Sequence, residues 1–270
     1  MNPERRPMLV ANWKMHKSVA ESVAFVRAWS RRVAEGATLP DRTQVEVVVC
    51  PTLPALAPMA GLLDALGVAV GAQNADVGTE GAVTGGVSAH LLAEALATHV
   101  IVGHSERRQL FGETDAVVAA KAAAALKAGL TPIVCVGESP EERRSGATEH
   151  VVAQQLTTVL NAVPEGDGRL VVAYEPLWAI GTGQGAAPAD ANQVAGWCRS
   201  RAAAAWGEAA AARVRILYGG SVTADNILGF WHAEEIDGAL VGGASLEIES
   251  WLAMVRTVAP APSGLTGGLG

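Results

Sequence analysis

The stretch Leu170-Val171-Val172-Ala173-Tyr174-Glu175-Pro176 is a short apolar run that stops on a carboxylate and a proline. Its length and near-continuous hydrophobicity suit a strand covered on both faces. After a glycine-rich passage, Gly181-Thr182-Gly183-Gln184-Gly185, an Ala-rich helical periodicity runs from Ala191 to Trp206. One strand followed by one helix is the unit of a parallel sheet, and this unit recurs along the chain.

Outward from that stretch, the strand candidates are Met8–Asn12, Val45–Cys50, Val68–Gln73, His99–Val102, Thr131–Val136, Leu170–Tyr174, Val214–Tyr218 and Ile236–Val241. Helical periodicity occupies Val19 to Val33, Leu56 to Leu66, Ala116 to Ala128, Val151 to Leu160, Ala191 to Trp206 and Leu246 to Val258. Eight strand-then-helix units in a chain of 270 residues fit a closed barrel better than an open doubly wound sheet. The fold class expected is therefore α/β, a single (β/α)8 barrel over residues 1–258. Residues 259–270, rich in Pro, Ala and Gly without hydrophobic period, read as a disordered tail. In such barrels chemistry sits at the carboxyl ends of the strands.

Composition narrows the function further. A formal net charge of −7, with 20 scattered Lys and Arg, argues against binding nucleic acid, so any phosphate must be caught locally by backbone amides and one or two cations. Cys50, Cys135 and Cys198 lie far apart with no Cys-x-x-Cys spacing, which suggests neither disulfides nor a metal site. The polar, basic Met1 to Pro7 segment leads into a strand rather than a signal-peptide core, and no stretch has a membrane-spanning length free of charge. A soluble, cytoplasmic protein without a cofactor is expected.

Several strand ends carry unusual polar groups. The first ends Asn12-Trp13-Lys14, the fourth Gly103-His104-Ser105-Glu106 and the sixth Tyr174-Glu175-Pro176, while the last two end in Gly219-Gly220-Ser221 and Gly242-Gly243. A Lys, a His and a Glu at one mouth supply a cation, a donor and a base, and paired glycines let backbone N–H groups approach an anion. Each residue alone has a plainer reading: Glu175 or His104 can cap a helix, and Lys14 can be a surface charge. The Gly181–Gly185 passage lacks the G-x-G-x-x-G spacing and reads as a lid rather than a dinucleotide turn.

Taken in order, Asn12-Trp13-Lys14-Met15, Gly71-Ala72-Gln73-Asn74, Gly103-His104-Ser105-Glu106-Arg107-Arg108, Cys135-Val136-Gly137-Glu138, Ala173 through Gly183, Tyr218-Gly219-Gly220-Ser221-Val222 and Leu240 through Ser245 resemble the signatures of the triosephosphate isomerase family. The resemblance spans residues 8 to about 258. It implies Glu175 as base, His104 as electrophile, Lys14 as electrostatic partner of the substrate and Asn12 as a positioning residue. It also implies a lid from Pro176 to Ala186 and phosphate contacts from Gly181, Ser221, Gly242 and Gly243. Glu138 would receive Trp178, Tyr218 and Ser221 would bond the closed lid, and the protein would be a homodimer acting on a small phosphorylated sugar. Glu106 reads either as a partner for Lys14 or as ordinary first-turn helix charge. The resemblance further implies a carboxylate base beside a neutral imidazole. His104 at the start of a helix agrees with it, since the positive end of the helix disfavours an imidazolium.

Three positions depart from the family pattern. Gln184-Gly185 stands at the trailing lid hinge, where Lys-Thr is frequent, and the glycine is expected to make closure more costly. Gly86 stands where the family has a Glu that pairs across the interface with Arg107, so an easily dissociated dimer is expected unless a nearby acid substitutes. His16 replaces a frequent Asn without an evident consequence. Alternatives are an isomerase of a related short-chain ketose phosphate such as a tetrulose phosphate, a non-catalytic binding protein, or a cofactor-holding barrel.

Overall fold

The computed structural model describes residues 5–37, 41–164, 168–180 and 185–259. The tail at 260–270, apart from Ala259, and the lid residues Gly181 and Gln184 lie outside the described residues. Strands β1 (Met8–Asn12), β2 (Glu46–Cys50), β3 (Ala69–Ala72), β4 (His99–Val102), β5 (Thr131–Val136), β6 (Val171–Tyr174), β7 (Arg215–Tyr218) and β8 (Gly238–Val241) form a closed parallel barrel in sequence order. Closure is made by β1, which pairs with β2 through Met8 and Glu46 and with β8 through Met8 and Gly238.

The helices alternate with the strands as α1 (Val19–Ala34), α2 (Leu53–Asp64), α3 (Ala89–Glu94), α4 (Ser105–Phe111), α5 (Asp115–Lys127), α6 (Pro140–Arg144) and α7 (Thr148–Leu160). After β6 come α8 (Pro188–Trp206), α9 (Glu208–Ala211), α10 (Ile227–Trp231) and α11 (Ile248–Val258). Two of them open with reciprocal capping, Ser18 with Glu21 and Ser139 with Glu142. Sequence periodicity sets the start of α2 and α8 too late. Both have proline in the first turn, where its missing N–H costs nothing, and the apolar period begins only afterwards.

Two separate apolar layers result from the alternation of side chains along each strand. Val10, Val48, Ile101, Ile133, Val171 and Leu217 fill the barrel interior, and their neighbours pack outward against the helices. The interior is therefore solid, and only its two mouths can hold polar groups. At the closing seam Gly238 has φ 152°, and a Cβ there would lie 1.8 Å from the Met8 carbonyl oxygen, so this register tolerates no side chain.

Candidate functional site

Asn12 is the last residue of β1 and is buried. Two residues on, Lys14 has φ 50°, a left-handed conformation costly for a residue with a Cβ. Hydrogen bonds over-determine it: the Lys14 N–H donates to Asn12 Oδ1 at 3.0 Å, and Gln73 Nε2 donates to the carbonyls of Lys14 at 2.8 Å and Cys50 at 2.9 Å. The ends of β1, β2 and β3 are thus tied around one lysine. Its Nζ pairs with Glu106 Oε1 at 2.7 Å, so Glu106 is a partner of Lys14, and Lys14 Cε lies 3.5 Å from where a Cβ on Gly242 would stand.

His104 caps the N-terminus of α4 through its ring, with Nδ1 accepting the Glu106 N–H at 3.3 Å. A nitrogen that accepts carries no proton, so the proton of the neutral ring is on Nε2, which faces Glu175 Oε1 at 2.9 Å. Glu175 is 2% exposed, and its other oxygen accepts the Ser105 N–H at 2.9 Å. Burial would raise the Glu175 carboxyl, but the His104 ring and the bonds from His104, Ser105 and the Cys135 thiol reverse this and hold it below the usual carboxylate range. Burial likewise pulls the His104 imidazolium down, yet the facing charge of Glu175 outweighs it and the ring lies above its ordinary value. The helix terminus therefore fixes the tautomer, whereas the Glu175 carboxylate sets the direction of the shift. A Cβ on Gly137 would lie 1.9 Å from the Glu175 carbonyl oxygen, which explains a glycine at the end of β5.

Asn12, Lys14, His104 and Glu175 line one cavity of about 380 Å³, whose opposite wall is the backbone of Gly219–Ser221 and Gly242–Gly243. The passage after Glu175 is fastened at both described ends. Trp178 Nε1 donates to Glu138 Oε1 at 2.8 Å, with Tyr174 Oη donating to the same oxygen at 3.1 Å and the Arg143 guanidinium over the indole. Ser221 Oγ donates to the Ala179 carbonyl at 2.8 Å, and the Ala186 N–H donates to Tyr218 Oη at 2.9 Å. Gly181, expected to contact phosphate, lies outside the described residues.

The two glycine departures meet different surroundings from those expected. A Cβ on Gly185 would come within 3.2 Å of the Ser221 carbonyl oxygen, so a larger residue is crowded in this arrangement. Arg107 is not left without an acid, because its Nε pairs with the buried Glu113 at 2.5 Å and its guanidinium covers Phe111. A Cβ on Gly86 would lie 2.9 Å from both Asp76 Oδ2 and Val83 Cγ1, so that loop has closed over the space of a side chain. Within its own chain, then, Arg107 has an acid beside it, as expected if a nearby acid stands in for the residue absent at Gly86.

Three groups at this mouth carried no assigned role in the sequence. Gln73 stands inside the Gly71-Ala72-Gln73-Asn74 motif but shows its use only when the ends of β1 and β2 lie beside it. Cys135 reads as a core thiol, and Asn226 follows Thr223 at a spacing at which a side chain reaches back to the N–H that opens the turn before α10. Among the described residues no group of three or more His, Cys, Asp or Glu could hold a metal ion.

Fold and site together are those of an intramolecular aldose–ketose isomerase built on a (β/α)8 barrel. The family model described as triosephosphate isomerase matches residues 7–258. The triosephosphate isomerase of Herpetosiphon aurantiacus is 49% identical over 253 residues, covering 93% of this chain and 99% of that protein. That of Symbiobacterium thermophilum is 46% identical over 258 residues, 95% of this chain and 98% of the relative, and that of Thermus thermophilus is 46% identical over 253 residues, 93% and 98% respectively. The chain belongs to the triosephosphate isomerase family.

Proposed function

We propose that this protein interconverts dihydroxyacetone phosphate and glyceraldehyde 3-phosphate, with Glu175 moving the proton between neighbouring carbons through an enediol(ate). The observation that carries the reading is the convergence of the Glu175 carboxylate, His104 Nε2 and Lys14 on one cavity walled by glycine backbone. Proton removal beside a carbonyl is slow unless charge growing on the oxygen is stabilised. His104 donates to that oxygen from Nε2, Lys14 offsets its charge, and Asn12 holds the substrate and the Lys14 backbone together.

Both Glu175 oxygens are engaged, by His104 and by Ser105, so the base must leave these bonds when substrate arrives. Its departure removes the charge that raises the His104 pKa, leaving a neutral ring free to donate to substrate. The phosphate belongs on the opposite wall, against the amides of Ser221, Gly242 and Gly243 and, by resemblance, Gly181. An enediol phosphate in water can eliminate phosphate, so the lid fastened through Trp178, Glu138, Tyr218 and Ser221 excludes solvent during turnover.

The protein acts as a homodimer. A second cavity of about 690 Å³ adjoins Asn12, Lys14 and Glu106 and is rimmed by exposed apolar side chains, Met15 at 94%, Leu110 at 75% and Phe111 at 66%. Exposed apolar residues grouped beside a site mark an association surface. No helix among the described residues is long and apolar enough to cross a membrane, and its three buried free thiols suit a reducing cytoplasm. A coupled assay of purified protein on dihydroxyacetone phosphate and on tetrulose phosphates, comparing kcat/KM, tests the reading. Preference for the triose supports it; preference for a four-carbon ketose, or no turnover of either, contradicts it.

A further inference from the structure

Asn226 lines the same cavity as Gly220, Ser221, Gly242 and Gly243, yet it stands beyond the glycine pair and carries none of the proposed chemistry. Its side chain closes a small ring of hydrogen bonds. Oδ1 accepts the Thr223 N–H at 2.8 Å, and Nδ2 donates to the Ser221 carbonyl at 3.0 Å. The orientation of the amide is fixed by its partners, since an N–H can only donate and a carbonyl can only accept. Two hydrogen bonds from one short side chain thus brace the turn Ser221–Thr223 from inside the cavity wall.

That turn carries more than its own backbone. Ser221 is a junction whose Oγ holds the leading lid end at Ala179, while its carbonyl, held by Asn226, lies against the trailing end at Gly185. A Cβ on Gly185 would stand 3.2 Å from that carbonyl and 3.9 Å from Asn226 Nδ2, so the trailing lid end passes close beside the turn and the amide. Without the amide, the Ser221 carbonyl and Thr223 N–H would need other partners. The peptide planes on either side of Ser221, a residue that lines the cavity, would then be free to rotate.

We infer that Asn226 is a positioning residue which, by clamping the Ser221–Thr223 turn, orients the phosphate-holding amides and the Ser221 hydroxyl that fastens the lid. This rests on the proposed reading of the cavity as a triose phosphate site. Asn226 acts on the phosphate end of the substrate and on closure, whereas Glu175, His104 and Lys14 act on the carbon end. Its loss should therefore appear in binding and in lid integrity before it appears in the proton transfer.

The test compares wild type with Asn226→Ala and Asn226→Asp. The measurements are kcat, KM for dihydroxyacetone phosphate, the inhibition constant of inorganic phosphate and the fraction of turnovers lost as methylglyoxal. For Asn226→Ala, KM and the phosphate inhibition constant should both rise roughly tenfold, in keeping with the loss of one or two modest hydrogen bonds, with kcat within about threefold of wild type. The methylglyoxal fraction should rise. Asn226→Asp keeps the acceptor for Thr223 but loses the donor to Ser221 and faces phosphate with a negative charge, so it should bind phosphate more weakly still. A merely structural residue would lower the melting temperature and the active fraction while leaving KM and the inhibition constant unmoved, and that result overturns the inference. So does a fall in kcat at constant KM. A wild type that neither turns over the triose nor is inhibited by phosphate overturns the reading of the site as well, whereas a normal wild type with unchanged variants overturns the role of Asn226 alone.

Discussion

The two mouths of the barrel use the same kinds of side chain for opposite ends. At the amino-terminal mouth Glu46 pairs with Arg6 at 2.6 Å and with Arg215, and His99 Nε2 stands 3.6 Å from it. Beside them the buried Asp237 accepts from Arg5 Nε at 2.7 Å, from Arg199 and from the Ile216 N–H. At the carboxyl-terminal mouth a Glu, a His and a Lys are again partnered, Glu175 with His104 and Lys14 with Glu106, but these groups line open cavities, and in the proposed reading substrate displaces the partners. Buried charge that is fully matched serves stability; buried charge that can exchange its partners serves chemistry. Substitutions at the two mouths should therefore separate stability from turnover.

The largest separation is expected from Lys14→Met. It removes a positive charge from the site and should lower kcat by roughly 10²-fold or more. The melting temperature should hardly move, because the pair with the half-exposed Glu106 is worth only about 0–1 kcal/mol. Steady-state kinetics alongside calorimetry reads both, and a normal kcat would remove Lys14 from the chemistry. The converse is Asp237→Ala, which strands Arg5 and the Ile216 N–H in the interior and should cost about 3–5 kcal/mol. Denaturant unfolding measures the loss, and kcat per folded molecule should stay near wild type.

A smaller effect concerns pH. Burial, with help from Arg215 and Arg6 and against the opposing charge of Glu46, lowers His99 to about 4, while an unfolded histidine titrates near 6.5. The unfolded chain thus binds a proton between about 6.5 and 4 that the folded chain refuses, and stability falls as pH falls through that window, by up to about 3 kcal/mol. Glu46 is affected in the same sense lower down: burial opposes its ionisation, but His99 and Arg215 hold it at about 2, so its share is lost below about 4.5. Unfolding free energies measured from pH 7 to pH 4 should show the slope in wild type and a flatter line in His99→Gln. The smallest effect is expected from Gly185→Thr. The entropic gain of less than about 1 kcal/mol that the sequence suggests meets the Ser221 carbonyl at 3.2 Å, so the methylglyoxal fraction should not fall. A clear decrease would show that the carbonyl yields.

These contrasts also separate the parts of the molecule that the sequence makes plain from those that only the fold brings together. The eight strands and the candidate site at their carboxyl ends are legible because strands buried on both faces are continuously apolar and because polar residues stand out where such runs stop, as at Asn12, His104 and Glu175. Short helices such as α3, α6, α9 and α10 have too few turns to show a period, and only α3 and α6 carry a capping serine to mark them. The amino-terminal charges were invisible for another reason: Glu46 and His99 lie at the starts of runs read as apolar, and their partners Arg6 and Arg215 come from opposite ends of the chain. Arg107 shows the same limit, since its acid, Glu113, is supplied by the turn after α4 rather than by the position at which the family pattern puts one.

The central claim is that Glu175 is the base of a proton-transfer site. The most direct test is Glu175→Asp, which keeps the charge but withdraws the carboxylate by about 1 Å from the reacting carbon. With the melting temperature near wild type and KM little changed, kcat on dihydroxyacetone phosphate should fall roughly 10²-fold or more. A folded Glu175→Asp protein with near wild-type kcat would contradict the account.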